Sequence, residues 1–369
     1  MGEPSELAHG WLRLAMTPGV GPVLGRRLAQ AAGGVAAIWR HLDDPGFWSG
    51  VRGVGPALLH ALRKQNARAV REEIAACRAH GIMLLHPDHP AYPPALQGLV
   101  DAPLVLFAQG CVRCLAHARM LAVVGARKAS REGRLLAERW GGYFARHGVV
   151  VVSGLAWGID QAAHEGAYKA QAPSVAVLGH GLLAEGGYGA WIKRIADTGC
   201  VVSEFLPHTA ARREYFPRRN RIIAGLARGT LVIEAGMRSG ALITARHAVN
   251  YGREVMAVPG SVLSDRHAGC HALIRQGALL VETAEQCLQA LGWQDEAPAT
   301  EAATVSLDGE QQRIVDALRH GPCSLDQLAE TCGLTIPQLS PILLALELRG
   351  VVERLPGGRY LLNLELRDQ

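Results

Sequence analysis

A chain of 369 residues that is 49% apolar and 19% charged, with 43 glycines and 19 prolines, can bury more than one hydrophobic core. That excludes wholesale disorder and makes two or three domains the expectation. Aromatic residues are 5%, which argues against a β-propeller or an aromatic-rich sandwich, and a formal charge of +5 names no partner by itself.

The chain opens with a helical pattern. Trp11-Leu-Arg-Leu-Ala-Met16 is apolar at helical spacing, Pro18-Gly-Val-Gly-Pro22 breaks it, and Val23–Ala32 resumes it. A second turn, Gly53-Val-Gly-Pro56, leads into Leu58–Arg71. Two such turns, each opening a helix, resemble helix-hairpin-helix (SAM-like) units, whose helix N-termini can face a DNA phosphate. A small helical domain that only packs has the same pattern. Residues 1–80 form this first expected domain.

From Met120 the pattern changes. Apolar strands are expected at Leu121–Val124, Val149–Val152, Ser174–Leu178, Cys200–Phe205, Thr230–Glu234 and Glu254–Val258. Between them fall helices at Arg131–Arg146, Asp160–Ala170, Tyr188–Thr198, Arg218–Ala227 and Ala241–Asn250. This alternation predicts an α/β fold, a doubly wound, Rossmann-like parallel sheet, over residues 81–292 with their lead-in segment. Residues 293–308, with Asp295, Glu296, Glu301 and Asp308 among small residues, read as an acidic linker. Helices at Glu310–Arg319, Leu325–Thr331 and Thr335–Leu348, then a hairpin turning at Pro356-Gly-Gly358, predict a winged helix over residues 309–369.

Charge becomes informative when divided. Residues 1–118 hold 11 basic and 8 acidic side chains, residues 119–292 hold 21 and 13, and residues 293–369 hold 6 and 12. The middle is basic and the end acidic. Arg212, Arg213, Arg218, Arg219, Arg221 and Arg228 fall in one short run with a single acid, Glu214, whereas ordinary surfaces mix signs. The eight cysteines are scattered through the chain, which fits reduced thiols in the cytoplasm better than a disulfide framework. Cys111 and Cys114 form a lone CxxC that reads as an ordinary loop, so no metal is expected. No apolar run reaches the roughly 18 residues of a spanning helix, and Met1–Gly10 lacks the basic head and apolar core of a signal peptide.

Open α/β sheets bind ligands beyond the carboxyl ends of their strands. Here those ends include Gly125-Ala-Arg-Lys128, Ser153-Gly-Leu-Ala-Trp-Gly-Ile-Asp160 and Glu234-Ala-Gly236, turns rich in glycine that suit a phosphate. The second is not GxGxxG and no acid follows about 20 residues on, so no dinucleotide cofactor is expected. Arg127 and Lys128 lie on the same edge as the arginine run, and Tyr215 and Phe216 lie inside it. An aromatic among arginines can stack a base of a single strand; Phe216 can equally be a core contact at a helix start. Asp160, Glu204, Glu234, His180 and His271 form no acid–base couple by spacing, which argues against an enzyme.

Val124-Gly-Ala-Arg127, the Ser153–Asp160 turn, Phe216-Pro-Arg-Arg-Asn-Arg-Ile-Ile-Ala-Gly-Leu226 and Ser239-Gly-Ala-Leu-Ile-Thr-Ala245 resemble the DNA-processing protein A family, also called DprA or Smf. So do Gly252-Arg-Glu-Val-Met-Ala-Val-Pro-Gly260 and Gly269-Cys-His-Ala-Leu-Ile274. The resemblance implies a protein, not known as an enzyme, that binds single-stranded DNA entering the cell in natural transformation. It implies that this protein protects that DNA, helps load the RecA recombinase, and works as a homodimer through its Rossmann domains. Carried onto this chain, the implied DNA contacts are Arg127, Lys128, Gly154, Phe216, Arg218, Arg219, Asn220, Arg221, Ser239 and Gly240, with the arginines on phosphates and the glycines offering N–H groups. The apolar helix around His271, Leu273 and Ile274 is the expected dimer contact. The segment Gly181–Gly189 departs from the family's Tyr-Pro turn, so no site residue is assigned there. The third helix of the winged helix has one basic residue and two prolines, which favours a protein contact over DNA reading. A nucleotide phosphoribohydrolase of similar fold is the enzymatic alternative, but Glu234-Ala-Gly-Met-Arg-Ser-Gly240 lacks the PGG turn of that class. A transcription regulator using the winged helix is opposed by the acidic end.

Overall fold

The computed structural model describes residues 6–44, 46–186, 188–293, 308–319, 321–348, 351–355 and 357–362. The linker expected at 293–308 lies almost wholly outside them. The chain forms two compact units, Met1–Glu296 and Ala297–Gln369.

The first unit begins with helices α1 (Glu6–Ala15), α2 (Pro22–Ala31), α3 (Pro56–Lys64) and α4 (Ala67–Ala79). Both Gly-Val-Gly turns end in a proline at the first position of a helix, where its missing N–H costs nothing. The expected helix Leu58–Arg71 is two helices: the chain breaks at Gln65, and the Asn66 side chain caps α4. These helices share a core with the sheet. Leu12, Leu28, Leu62 and Trp48 belong to one buried cluster with Ala176, Leu178 and Val201 of the strands.

The sheet follows, with β1 (Met83–Leu85), short α5 (Pro94–Gln97), β2 (Leu106–Gly110), β3 (Met120–Val124), α6 (Arg131–Arg146), β4 (Val150–Ser153), α7 (Ile159–Lys169) and β5 (Ser174–Leu178). It continues through α8 (Gly189–Thr198), β6 (Cys200–Ser203), α9 (Tyr215–Leu226), β7 (Gly229–Val232), α10 (Ala241–Asn250), β8 (Glu254–Ala257), α11 (Ala268–Arg275), β9 (Leu279–Leu280) and α12 (Ala284–Ala290). The strand order is β1-β2-β6-β5-β4-β3-β7-β8-β9. Strands from β6 to β9 run parallel, while β2 is antiparallel to both β1 and β6. The doubly wound sheet expected from residues 119–292 is present, and the lead-in segment adds its two antiparallel strands.

Every residue of β3, β4, β5, β6 and β7 is buried, as expected for parallel strands covered on both faces. Alternation sends Val150 and Val152 toward α9 and α10, and Val151 and Val123 toward α6 and α7. Helices α6 and α7 cross closely because small residues meet there: a Cβ on Gly166 would lie 1.9 Å from the Glu138 carbonyl oxygen.

The second unit is α13 (Gly309–Arg319), β10 (Cys323–Ser324), α14 (Leu325–Cys332), α15 (Ile336–Leu348), β11 (Val352–Leu355) and β12 (Arg359–Leu362), with sheet order β10-β12-β11. This is the expected winged helix. Ser324 and Gln327 form a reciprocal capping box on α14, and Gly333 ends it in the left-handed conformation. Among the described residues no helix is long and apolar enough to cross a membrane.

Candidate nucleic-acid interface

The strand order reverses between β3 and β7, so the loops leaving their carboxyl ends part there and open a crevice. Arg127 and Lys128 leave β3; the loop after β7 runs through Arg238 to Gly240 and opens α10. Helix α9 enters beside them. Together they enclose a pocket of about 530 Å³ lined by Arg127, Arg213, Phe216, Arg219, Asn220, Arg238, Ser239 and Gly240, among others.

The pocket has two tiers of charge. Arg127, Arg213 and Arg238 are exposed, and among the described residues none has a carboxylate partner. The Arg127 guanidinium lies 4.5 Å from the centre of the half-buried Phe216 ring, which orients both side chains. Beneath them, Arg219 is 3% exposed. Its Nη1 donates to the carbonyls of Gly154, at 2.6 Å, and Val177, and its Nε to Asn220 Oδ1 at 3.1 Å. Burial lowers the Arg219 pKa to about 10 while nearby Asp160 holds it up, so the guanidinium stays charged at neutral pH.

Burial also raises the pKa of Asp160, against the pull of Arg219 and of the Gly154 N–H, which donates to Asp160 Oδ2 at 3.1 Å. His164 is pushed down to about 3, first by burial and then by Arg219, and is therefore neutral. Asn220 Nδ2 donates to the Gly240 carbonyl at 3.1 Å and ties α9 to the start of α10.

Six of the ten expected contacts share this pocket: Arg127, Phe216, Arg219, Asn220, Ser239 and Gly240. The other four do not line it. Arg221 does not line the pocket; its guanidinium is buried against the Glu204 carboxylate and the Asp101 carbonyl. Arg218 is half exposed and pairs with Glu204 at 3.1 Å. The Gly154 N–H is already spent on Asp160 and is not free for an anion. Lys128 is exposed beyond the pocket, and its carbonyl accepts from Arg266 at 3.0 Å. Tyr215 stacks on Phe205 with centroids 4.3 Å apart and is not free to stack a base.

Two pocket arginines, Arg213 and Arg238, are not among the ten expected contacts. Arg213 lies in the arginine run and Arg238 in the turn after the fifth expected strand, but only the strand order brings them to one mouth. A smaller recess of about 30 Å³ adjoins the pocket, sharing Arg127, Ala156 and Phe216 with it and adding Gly154, Trp157 and Tyr188.

The acids named from sequence have structural partners. Glu234 is 1% exposed and accepts from the Ser130 backbone N–H and hydroxyl at the start of α6. His271 Nε2 sits 3.1 Å from the Gly260 carbonyl, and Leu273 and Ile274 half-bury against the core. Among the described residues no cluster of three or more His, Cys, Asp or Glu is placed to hold a metal. Cys111 is exposed and Cys114 buried on a short helical turn.

A doubly wound sheet with a pocket lined by basic residues at its switch point, followed in the chain by a winged helix, defines the class of α/β protein to which this chain belongs. The family described as DNA recombination-mediator protein A matches residues 83–292, and the DprA winged helix domain matches residues 297–358. The chain belongs to this family. It is 39% identical over 293 residues to Protein Smf of Escherichia coli K12, spanning 74% of this chain and 76% of that protein. The X-ray structure of DNA processing protein A from Streptococcus pneumoniae is similar with a TM-score of 0.66 and 31% identity, over 78% of this chain and 98% of that one. A Helicobacter pylori DNA processing protein A, described for its single-stranded DNA binding mode, shares the fold at a TM-score of 0.51 and 23% identity, over 57% of this chain and 95% of that one.

Proposed function

We propose that the pocket between β3, β7 and α9 binds single-stranded DNA, and that the protein acts as a non-enzymatic recombination mediator. The observation that carries this reading is the convergence of Arg127, Arg213, Arg238 and Phe216, from three separate chain segments, on one concave mouth above the buried Arg219. Exposed guanidiniums neutralise phosphates, and an aromatic wall accepts the face of an unpaired base. Duplex DNA presents no free base face to Phe216.

The binding reading is favoured over phosphoribohydrolase chemistry because Glu234, the acid that chemistry would draw on, is buried and held by Ser130. The family relationship supports the wider role: protecting incoming DNA in transformation, helping to load RecA, and working in the cytoplasm. Homodimerisation through α11, with His271, Leu273 and Ile274, is supported by the neighbouring edge strand β9, whose Leu279 and Leu280 are both exposed. The winged helix is assigned to a protein contact. Helix α15 carries no basic side chain within Ile336–Leu348, and Ile336 and Leu344 are exposed on it; Arg349 lies outside the described residues.

Fluorescence anisotropy with labelled single and double strands at several salt concentrations tests the reading. Single strands should bind more tightly, with the logarithm of affinity falling by about 0.7 per phosphate neutralised for each unit of log salt. Replacing Arg127, Arg213 and Arg238 by alanine should flatten that slope by about 2. Equal affinity for both forms, or an unchanged slope, refutes it. Light scattering of wild type and Leu273→Asp tests the dimer, and capture of purified RecA by the full chain tests the partner.

A further inference from the structure

The turn between β4 and α7 holds a tryptophan out in water. Trp157 is 64% exposed, whereas Trp11, Trp48 and Trp140 are buried. A tryptophan left in solvent forgoes the burial that normally justifies so large an apolar side chain.

The backbone that displays it is fixed rather than loose. Leu155 has φ +56, a left-handed conformation that bulky side chains rarely adopt, and its side chain is buried. Gly158 has φ +92, and a Cβ there would lie 2.3 Å from the Ala126 carbonyl oxygen. The Ile159 N–H donates to that same oxygen at 3.3 Å. The turn is thus clamped against the loop that carries Arg127, and the indole is held beside it. Backbone strain over-determined by its surroundings gathers at ligand clamps.

The surroundings are those of a strand-binding track. Trp157 borders the small recess that shares Arg127 and Phe216 with the main pocket. At about 30 Å³ the recess cannot enclose a base, so a ligand there lies on the surface. The charge beside the indole is positive, because Arg127 has no carboxylate partner among the described residues.

We propose that Trp157 is a base-stacking residue: with a phosphate of the single strand held at Arg127, the adjoining nucleobase leaves the pocket and lies on the exposed indole. The proposal rests on the reading of the pocket as a single-strand site. Stacking uses a face that every base has, so the contact extends the track without selecting sequence.

The test compares the full wild-type chain with Trp157→Ala and Trp157→Phe in anisotropy titrations. The probes are labelled oligothymidylate and an abasic deoxyribose-phosphate oligomer of equal length. Trp157→Ala should bind oligothymidylate about fivefold or more weakly, Trp157→Phe should recover most of that loss, and all three should bind the abasic oligomer equally. Indole emission of the wild type should be quenched by oligothymidylate and not by the abasic oligomer. Unchanged oligothymidylate binding by Trp157→Ala overturns the assignment, and so does an equal loss on both probes, which would place the effect on the fold or the phosphates. Failure of the wild type to bind oligothymidylate at all overturns the pocket reading together with this one.

Discussion

Arg219 gives the sharpest test of the two-tier pocket. Replacing it with methionine keeps an unbranched stem of similar length and removes the guanidinium. Three things are lost together: donors to the Gly154 and Val177 carbonyls, the bond to Asn220, and the positive charge nearest Asp160. An orphaned buried acceptor costs about 1–3 kcal/mol, and breaking a buried charge pairing about 3–5 kcal/mol. The two overlap, because Asp160 already has its pKa raised by burial and can take up a proton, so the net loss is set at about 3–5 kcal/mol. The unit Met1–Glu296 should have an unfolding entropy of roughly 0.6 kcal/mol per degree. The loss then lowers its melting midpoint by about 5–8 °C, read by intrinsic fluorescence. Arg238→Ala, an exposed side chain in the same pocket, should melt within about 1 °C of wild type yet bind single strands more weakly. Arg219→Lys should fall between, since a point charge cannot fork to two carbonyls. If Arg219→Met melts with the wild type, the buried tier is not structural and the reasoning fails.

Four further outcomes follow from the same geometry. His164 keeps its pKa near 3 when folded and regains a value near 6.5 when unfolded, so the unfolded chain takes up the proton first on acidification. Stability should fall as pH drops below about 6.5 and continue falling toward 3, by about 2 kcal/mol at pH 5; melts of His164→Gln against pH should be shallower, and parallel curves would contradict this. Gly158→Ala should lose more than half of its single-strand binding in anisotropy, because both its φ of +92 and the Ala126 oxygen forbid a Cβ and the turn must shift; full binding would show the turn to be dispensable. Glu204→Gln should melt several degrees lower, since it leaves Arg221 buried without a counter-charge, and should steepen the salt slope by up to about 0.7 by freeing Arg218. Arg218→Ala should leave the melt within about 1 °C, because that pair is half exposed and screened.

The sheet was legible because its strands are short, largely apolar and separated by helices: Ser174–Leu178, Arg131–Arg146 and Ala241–Asn250 appear with the expected bounds. Strand β2 was missed because Leu106-Phe-Ala-Gln-Gly110 offers no helix beside it to set a period, and β1 and β9 are too short to show one. Arg127, Phe216 and Ser239 were legible at the ends of elements. Whether an arginine faces solvent or core was not, since Arg218, Arg219 and Arg221 are consecutive or nearly so on one helix, yet Arg219 turns inward to the Gly154 and Val177 carbonyls while Arg218 and Arg221 converge on one carboxylate. Glu204, the carboxylate that captures two of them, lies 14 residues upstream of Arg218. Sequence spacing cannot assign such a partner; only packing does.

The distinction changes what the arginine run means for binding. Six arginines between residues 210 and 228 suggest six phosphates. In the structure Arg219 and Arg221 are buried, Arg218 is paired, and Arg212 lies over the Tyr215 ring. Arg228 stands at the amino end of β7, a full strand length from the pocket. Of the six, Arg213 alone lines the mouth, and Arg127 and Arg238 join it from elsewhere. Counterion release counts only charges that meet phosphates, so the salt slope should sit near −2, where six contacts would give about −4. Buried Arg219 is shielded from salt by the protein around it. High ionic strength should therefore release the strand while the pocket keeps its shape, and a melt that is flat in salt over the range where affinity collapses would separate the two tiers.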